Sequence, residues 1–196
     1  MKIFDLFDAK DIKIEDPGLR RYIDVSEKLL IKNQGREGKE KFGRAKINII
    51  ERFIHLLMCP GHRGGKQKIM THWASGKWSK KAMLMIKALK IVEEKTKQNP
   101  IQVFIKAVEN AAPRDEVTTI EYGGARYPQA VDISPMRRIS LAMRNMRNSA
   151  YDKCFGKSTK MENALADEII AASNNSSESK AISRKNEVEK MADSSR

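Results

Sequence analysis

Residues 115–133 read DEVTTIEYGGARYPQAVDI, and the fold is decided here because this is where the apolar period changes from helical to alternating. β-Branched and aromatic residues flank Gly123-Gly124, a pair that supplies both positive φ angles of a type I′ two-residue turn. Such a turn predicts a hairpin within 113–133. Its register sets Tyr122 opposite Ala125, Glu121 opposite Arg126 and Ile120 opposite Tyr127, giving one apolar face and an ion pair at the tip. Pro128 has no N–H to offer a ladder, so the pair is expected as a free two-stranded ribbon and not as the centre of a sheet. With roughly nine residues a side at about 3.3 Å each, the ribbon reaches about 25 to 30 Å. That is long enough to project from a helical body.

On both sides of the ribbon the spacing is helical. Immediately upstream, Asn99 caps, Pro100 suits the first helical position and Gln102 stands where a capping box needs it. Ile101, Phe104, Ile105 and Val108 then follow i, i+3, i+4, i+7. Before that, a helix over about 79–97 is expected to start at a Ser79 cap, burying Met83, Ile86 and Leu89 and leaving Lys80, Lys81, Lys87 and Lys90 in water. The first helix is expected over about 44–58, with Ile47, Ile50, Ile54 and Leu57 as its stripe. Downstream, Ser134-Pro135 starts a helix that buries Met136, Ile139, Met143 and Met146. Another begins at a Thr159 to Glu162 capping box and buries Leu165 and Ile169. A last, polar helix over about 180–192 is expected to fray. Residues 1–16, the loop 60–77 and the Ser/Asn stretch 173–179 look weakly ordered in isolation. The fold class is mainly α: a bundle of about six helices with one projecting two-stranded antiparallel β-ribbon. Residues 1–34 form a partly ordered extension, and 35–196 form a single helical domain with the ribbon at 113–133.

The 196 residues carry a net charge of +13. Its distribution is more informative than its size, because it separates binding surface from scaffold. Residues 35–100 hold sixteen basic against five acidic side chains, and 134–160 hold seven against one. The ribbon segment holds only Arg114 and Arg126 against four acidic residues. Localised positive charge at helix starts and in the loop PGHRGGKQKIMTHWASGK, residues 60–77, points to a polyanion and, with the loop's length, to a segment that a partner orders. Arginines are the better phosphate contacts because the planar guanidinium pairs with two oxygens at once. Trp73 and Trp78 sit among the cations, where stacking on bases and packing in the core are both open.

Other chemistries find little support. Cys59 and Cys154 are too few for a disulfide framework, the N-terminal stretch is acidic where a signal peptide is apolar, and no apolar run approaches the roughly 20 residues of a membrane span. A reduced, cytoplasmic protein is expected. His55, Cys59, His62 and His72 lie close in sequence but without a CxxC knuckle, so no metal is expected, and no cofactor. Gly64-Gly65-Lys66 lacks the full phosphate-loop pattern, and no nucleophile–base group is set in context. Catalysis is not expected.

The stretch NPIQVFIKAVENAAPRDEVTTIEYGGARYPQAVDISPMRR, residues 99–138, with FGRAKINIIERFIHLLM at 42–58, LADEII at 165–170 and the ending EVEKMADSSR, resembles the small-subunit ribosomal protein seven family in its archaeal and eukaryotic-cytosolic form. The resemblance implies a helical bundle carrying the same ribbon and bound to the 3′ major domain of small-subunit rRNA in the subunit head. It further implies a role in head assembly, a ribbon near exit-site tRNA and the mRNA path, and contacts with neighbouring small-subunit proteins of the head and platform. On that pattern Lys39, Lys41, Arg44 and Lys46 approach the RNA ahead of the first helix, and Lys77, Lys80 and Lys81 at the start of the second. Arg137-Arg138 follow the ribbon, and Tyr122, Gly123, Gly124 and Arg126 form its tip. Charge and position add Arg63, Lys66, Lys68, Trp78, Arg114, Arg144, Arg147, Lys153 and Lys157 as candidate RNA contacts. The competing reading is an architectural DNA-binding protein with a β-ribbon arm, which usually needs several basic residues along its strands. This ribbon lacks them.

Overall fold

A computed structural model describes residues 2–9, 12–28, 31–32, 40–59 and 76–196. Most of the 60–77 loop, with Trp73, His62 and His72, therefore lies outside the described residues. In order, the elements are β1 (Lys2–Ile3), β2 (Phe7–Asp8), α1 (Pro17–Arg20), a 3₁₀ turn (Gly43–Lys46), α2 (Ile49–Met58), α3 (Trp78–Thr96), α4 (Pro100–Ala111), β3 (Asp115–Tyr122), β4 (Ala125–Asp132), α5 (Pro135–Cys154), α6 (Met161–Ser173) and α7 (Lys180–Asp193). The bundle-plus-ribbon architecture stands, with a short hairpin, β1–β2, and the single-turn α1 added at the N-terminus.

α4 runs through the middle of the core. Ile101, Phe104, Ile105, Val108 and Ala111 are wholly buried, and Phe104 meets Phe53 of α2 edge-on with ring centroids 5.3 Å apart. The start of α4 is capped by Asn99, whose Oδ1 accepts from the Ile101 N–H at 3.0 Å. Gln102 does not complete a capping box. Its amide accepts from the Lys13 N–H and donates to the Lys13 carbonyl, both at 2.9 Å, while Asn99 Nδ2 donates to the Asp8 carbonyl at 2.7 Å. The N-terminal segment thus supplies backbone partners that the sequence pattern assigned to α4 itself. With Ile3, Phe7 and Leu19 buried against the same core, these bonds bring residues 2–9 and 12–20 onto the bundle.

Helix starts differ from the sequence expectation in three places. Phe42 takes a left-handed φ of 61° and Ile47 is extended, so residues 43–46 make a 3₁₀ turn and α2 begins only at Ile49, capped by Asn48. α3 begins at Trp78 with no side-chain cap, its start set by Trp78 packing on the core and not by Ser79. α6 begins at Met161, and Glu162 reaches across to Lys87 at 3.7 Å instead of boxing with Thr159.

The buried face of α3 includes Leu89 as expected, with Ile86 half-buried, but is rotated away from Met83. Ala82, Met85, Ala88, Leu89 and Val92 face inward with Lys81, whereas Met83 is 56% exposed. Two alanines on that face let α6 approach closely, and Met83 lies one residue, about a quarter-turn, off it. Met136 of α5 is only half-buried, while Ile139, Met143 and Met146 are buried as expected.

The α6–α7 connection is tight. Asn175 turns at φ 52°, and Asn110 Nδ2 of α4 donates to the Ala172 and Ser173 carbonyls at 3.0 and 2.9 Å, closing the C-terminal end of α6. α7, despite its polar sequence, is anchored at its N-terminus. Glu168, wholly buried on α6, accepts from Ser179 Oγ at 2.7 Å, from the Ala181 N–H at 3.2 Å and from Lys153 Nζ at 2.7 Å.

Phe104→Ala is expected to cost about 3 to 5 kcal/mol in urea unfolding, because it empties a wholly buried site and loses the aromatic edge contact with Phe53 of α2. A loss below about 1 kcal/mol would mean that α4 is not the centre of the core.

Candidate nucleic-acid interface

The ribbon forms with the register expected of it: Tyr122↔Ala125, Glu121↔Arg126 and Ile120↔Tyr127. Gly123 and Gly124 take φ of 58° and 82°, the left-handed pair that a type I′ turn requires. Residues 118–129 are all exposed. At the tip Arg126 Nε lies 3.6 Å from Glu121, and Ile120, Tyr122 and Tyr127 present an apolar face to solvent. Only the root is fastened. The Arg137 fork grips Glu116 with bonds of 2.7 and 2.8 Å, Arg196 NH2 donates to Asp115 at 2.6 Å, and the Arg114 N–H donates to Glu189 at 2.9 Å.

The basic block of α5 is therefore largely committed within the molecule. The hydrogen bond and charge of Glu116 raise the pKa of Arg137. Arg138 donates to Asp16 at 2.9 Å and to the Pro113 carbonyl at 3.1 Å. Burial alone would raise the Asp16 carboxyl, but the bonds from Arg138 and the Gly18 N–H outweigh it and hold it below its ordinary value. Arg147 is buried beside the C-terminal end of α2, donating to the Leu56 carbonyl at 3.2 Å and to Asn148, and Tyr151 Oη donates to the Leu57 carbonyl at 3.0 Å. Burial pushes the Arg147 pKa down and that of Tyr151 up. Lys153 is held by Glu168. Arg144 and Lys157 remain exposed with no side-chain partner among the described residues. Lys157 and Lys160 line a cleft of about 580 Å³ together with Leu84, Tyr151, Phe155 and Met161.

The other basic block is different. Ahead of α2, Lys41 and Arg44 are exposed, and Lys46 pairs with Glu40 at 2.7 Å on the surface. Phe42, between them, is 64% exposed in its left-handed conformation with Lys41 Nζ 5.8 Å from its ring centroid. At the start of α3, Lys77 and Lys80 are exposed and no acidic residue occupies the first turn, so side-chain cations and the helix dipole add. Trp78 is half-buried under Lys32, 5.5 Å from its ring, and its Nε1 is buried without an acceptor. Lys81, expected in water, is 4% exposed beside the Tyr151 ring, and burial lowers its pKa. Lys39, Arg63, Lys66 and Lys68 lie outside the described residues. Arg114 has an exposed side chain at the ribbon root.

Residues 19–196 match the family model described as ribosomal protein S7p/S5e. The chain belongs to that family. It is 51% identical over 196 residues, the whole of this chain and 99% of the other, to a protein named small ribosomal subunit protein uS7 from Nanoarchaeum equitans. It is 40% identical over 194 residues, 99% of this chain and 94% of the other, to a protein of the same name from Archaeoglobus fulgidus. Both similarities extend to the N-terminal residues ahead of the family match, the same residues whose Ile3 and Phe7 enter the core.

Two residues of the site escaped the sequence reading. Phe42 could have been suspected from an aromatic isolated between Lys41 and Arg44. Arg52 is one of two cations in the α2 region with no acid at i±4, its neighbours at that spacing being Asn48 and Leu56, yet a helical arginine with apolar residues around it reads as a solvated face.

Arg137→Ala and Arg144→Ala should separate the two kinds of cation on α5. The first is expected to speed hydrogen exchange in β3 and β4 with little effect on the salt dependence of RNA binding. The second should lower the slope of log affinity against log salt by about one. The opposite assignment of the two effects would show that Arg137 leaves Glu116 for RNA.

Proposed function

We propose that this protein is a structural constituent of the small ribosomal subunit in the cytoplasm. It binds the 3′ major domain of the rRNA, takes part in organising the subunit head, and directs its ribbon toward exit-site tRNA and the mRNA path, beside neighbouring proteins of the head and platform. The observation that carries the reading is end-to-end similarity to proteins named as small-subunit components. The geometry supports a division of labour within it. Lys41, Arg44, Lys77 and Lys80 are exposed and without a carboxylate partner among the described residues, as phosphate contacts must be. The ribbon carries more acid than base and exposes tyrosines, so it suits contact with bases, protein or ordered tRNA more than a run of phosphates. No helix among the described residues is long and apolar enough to cross a membrane. The family role is structural, and a catalytic one is not proposed.

Isolated protein should bind an RNA fragment of the 3′ major domain far more tightly than duplex DNA of equal length, with affinity falling by about 0.7 to 0.9 of a decade per decade of salt for each phosphate contacted. Equal affinity would favour the architectural DNA-binding reading. Deleting residues 121–126 should leave that affinity and the unfolding midpoint nearly unchanged and impair exit-site tRNA retention in reconstituted subunits. Loss of the fold on deletion would show that the ribbon tip is packed and not projecting.

A further inference from the structure

The start of α2 is laced to the segment before it. The Tyr22, Asp24 and Ser26 carbonyls accept in turn from Arg52 NH1 at 2.9 Å, the Ile49 N–H at 2.9 Å and Asn48 Nδ2 at 3.2 Å. This lacing carries the Arg52 side chain inward until only 7% of the residue is exposed. A guanidinium has five N–H groups to satisfy and a charge that burial penalises. The other mostly buried arginines are held by more acceptors. Arg138 holds a carboxylate and a carbonyl, and Arg147 uses Nε, NH1 and NH2 on oxygen acceptors.

Among the described residues Arg52 has the Tyr22 carbonyl and no carboxylate. Acids of the flanking segments have other partners: Asp24 accepts from Ser26 N and Oγ at 3.0 and 2.9 Å, Glu51 faces His55 at 3.6 Å, and Glu40 holds Lys46. Among the described residues the fully buried side-chain nitrogens and oxygens without a partner are Trp78 Nε1 and Ser149 Oγ. The remaining nitrogens of Arg52 are not among them, so the open side of its fork reaches the surface. The neighbouring charge that acts on it there is another cation, Arg44, which is exposed on the 3₁₀ turn. Burial first, and then repulsion from Arg44, hold the Arg52 pKa at about 10. Two guanidinium groups near enough for their charges to act on each other, one held and desolvated and one exposed, with no carboxylate acting on the buried one, make a poor intramolecular arrangement and a good anion site.

We infer that Arg52 and Arg44 together bind a single phosphodiester of the RNA, Arg52 presenting a fixed guanidinium edge from inside the fold and Arg44 closing over the phosphate from solvent. The inference rests on the RNA-binding reading and adds to it one phosphate recognised by geometry, distinct from the diffuse attraction of the surface lysines.

The test compares wild type, Arg44→Gln, Arg52→Met, Arg52→Lys and the Arg44→Gln/Arg52→Met double variant. Affinity for the 3′ major domain fragment is measured over a salt series, and the thermal midpoint is measured in inorganic phosphate against chloride at equal ionic strength. Each neutral single variant should lose roughly tenfold in affinity, as expected for a charge-assisted bond. Each should also lose about one unit of salt slope. The double variant should be no more than about threefold worse than the weaker single, because both arginines serve one phosphate. Arg52→Lys should recover only part of the loss, since an ammonium replaces the charge but not the fork. Phosphate should raise the midpoint of wild type and of neither neutral single variant. If Arg52→Met does not fold, Arg44→Gln at its exposed position carries both comparisons.

Affinities of both single variants within about twofold of a tightly binding wild type would overturn the site and leave the RNA-binding reading standing. Losses that multiply in the double variant would equally overturn a shared phosphate. A wild type that ignores the RNA fragment, yet is stabilised by phosphate through both arginines, would keep the anion site and remove the RNA-binding reading.

Discussion

The guanidinium of Arg138 joins three parts of the chain that lie far apart in sequence. One nitrogen holds the Pro113 carbonyl, where α4 ends and the ribbon begins; another holds Asp16, the residue that caps α1. The side chain is mostly buried, and Pro113 is buried with it, so that its carbonyl would lose this partner where water cannot easily replace it. Through this one group the start of α5, the root of the ribbon and the N-terminal segment are placed relative to one another. The neighbouring residue, Arg137, extends the arrangement outward onto Glu116, and the C-terminal Arg196 closes the other side on Asp115. The ribbon is thus held rigidly at its base and free along its length, which is what an arm that probes a partner requires.

This bracing changes the meaning of the positive charge. The chain carries two basic blocks, and in sequence they look alike. In the fold, much of the second is spent internally: Arg137, Arg138, Arg147 and Lys153 bind Glu116, Asp16, the end of α2 and Glu168. The first block keeps its charge outward at Lys41, Arg44, Lys77 and Lys80. Surface cations without partners cost the isolated protein little, because water screens them, and they are the ones that gain when counterions leave a polyanion. Arg52 falls between the two groups, inside the fold but not neutralised by it.

Helices and ribbon were legible for a local reason. Gly123-Gly124 accepts both positive φ angles of a two-residue turn, and the turn dictates every cross-strand pair out to Asp115↔Asp132. Asn99-Pro100 likewise marks the start of α4 from its own chemistry. The failures share a cause as well. Gln102 spends its amide on Lys13, Met83 lies outside while Lys81 lies inside, and polar α7 is anchored by Glu168, each because of a partner from another element. The candidate site was legible as a distribution of charge and not as a set of contacts, since the same arginine reads alike whether a carboxylate waits for it 122 residues away or not.

The sequence by itself determined where the ribbon turns and how it pairs, where the main helices lie, and that the charge seeks a polyanion. Those properties follow from backbone preference, apolar period and net charge, all of which act over a few residues or over none in particular. The tertiary structure alone decided which cations are available. Availability depends on whether a distant carboxylate or carbonyl is brought within hydrogen-bonding distance, and on whether burial strips away the water that would otherwise satisfy the charge. In this protein that selection divides one basic composition into struts that hold the ribbon and open groups that can meet RNA.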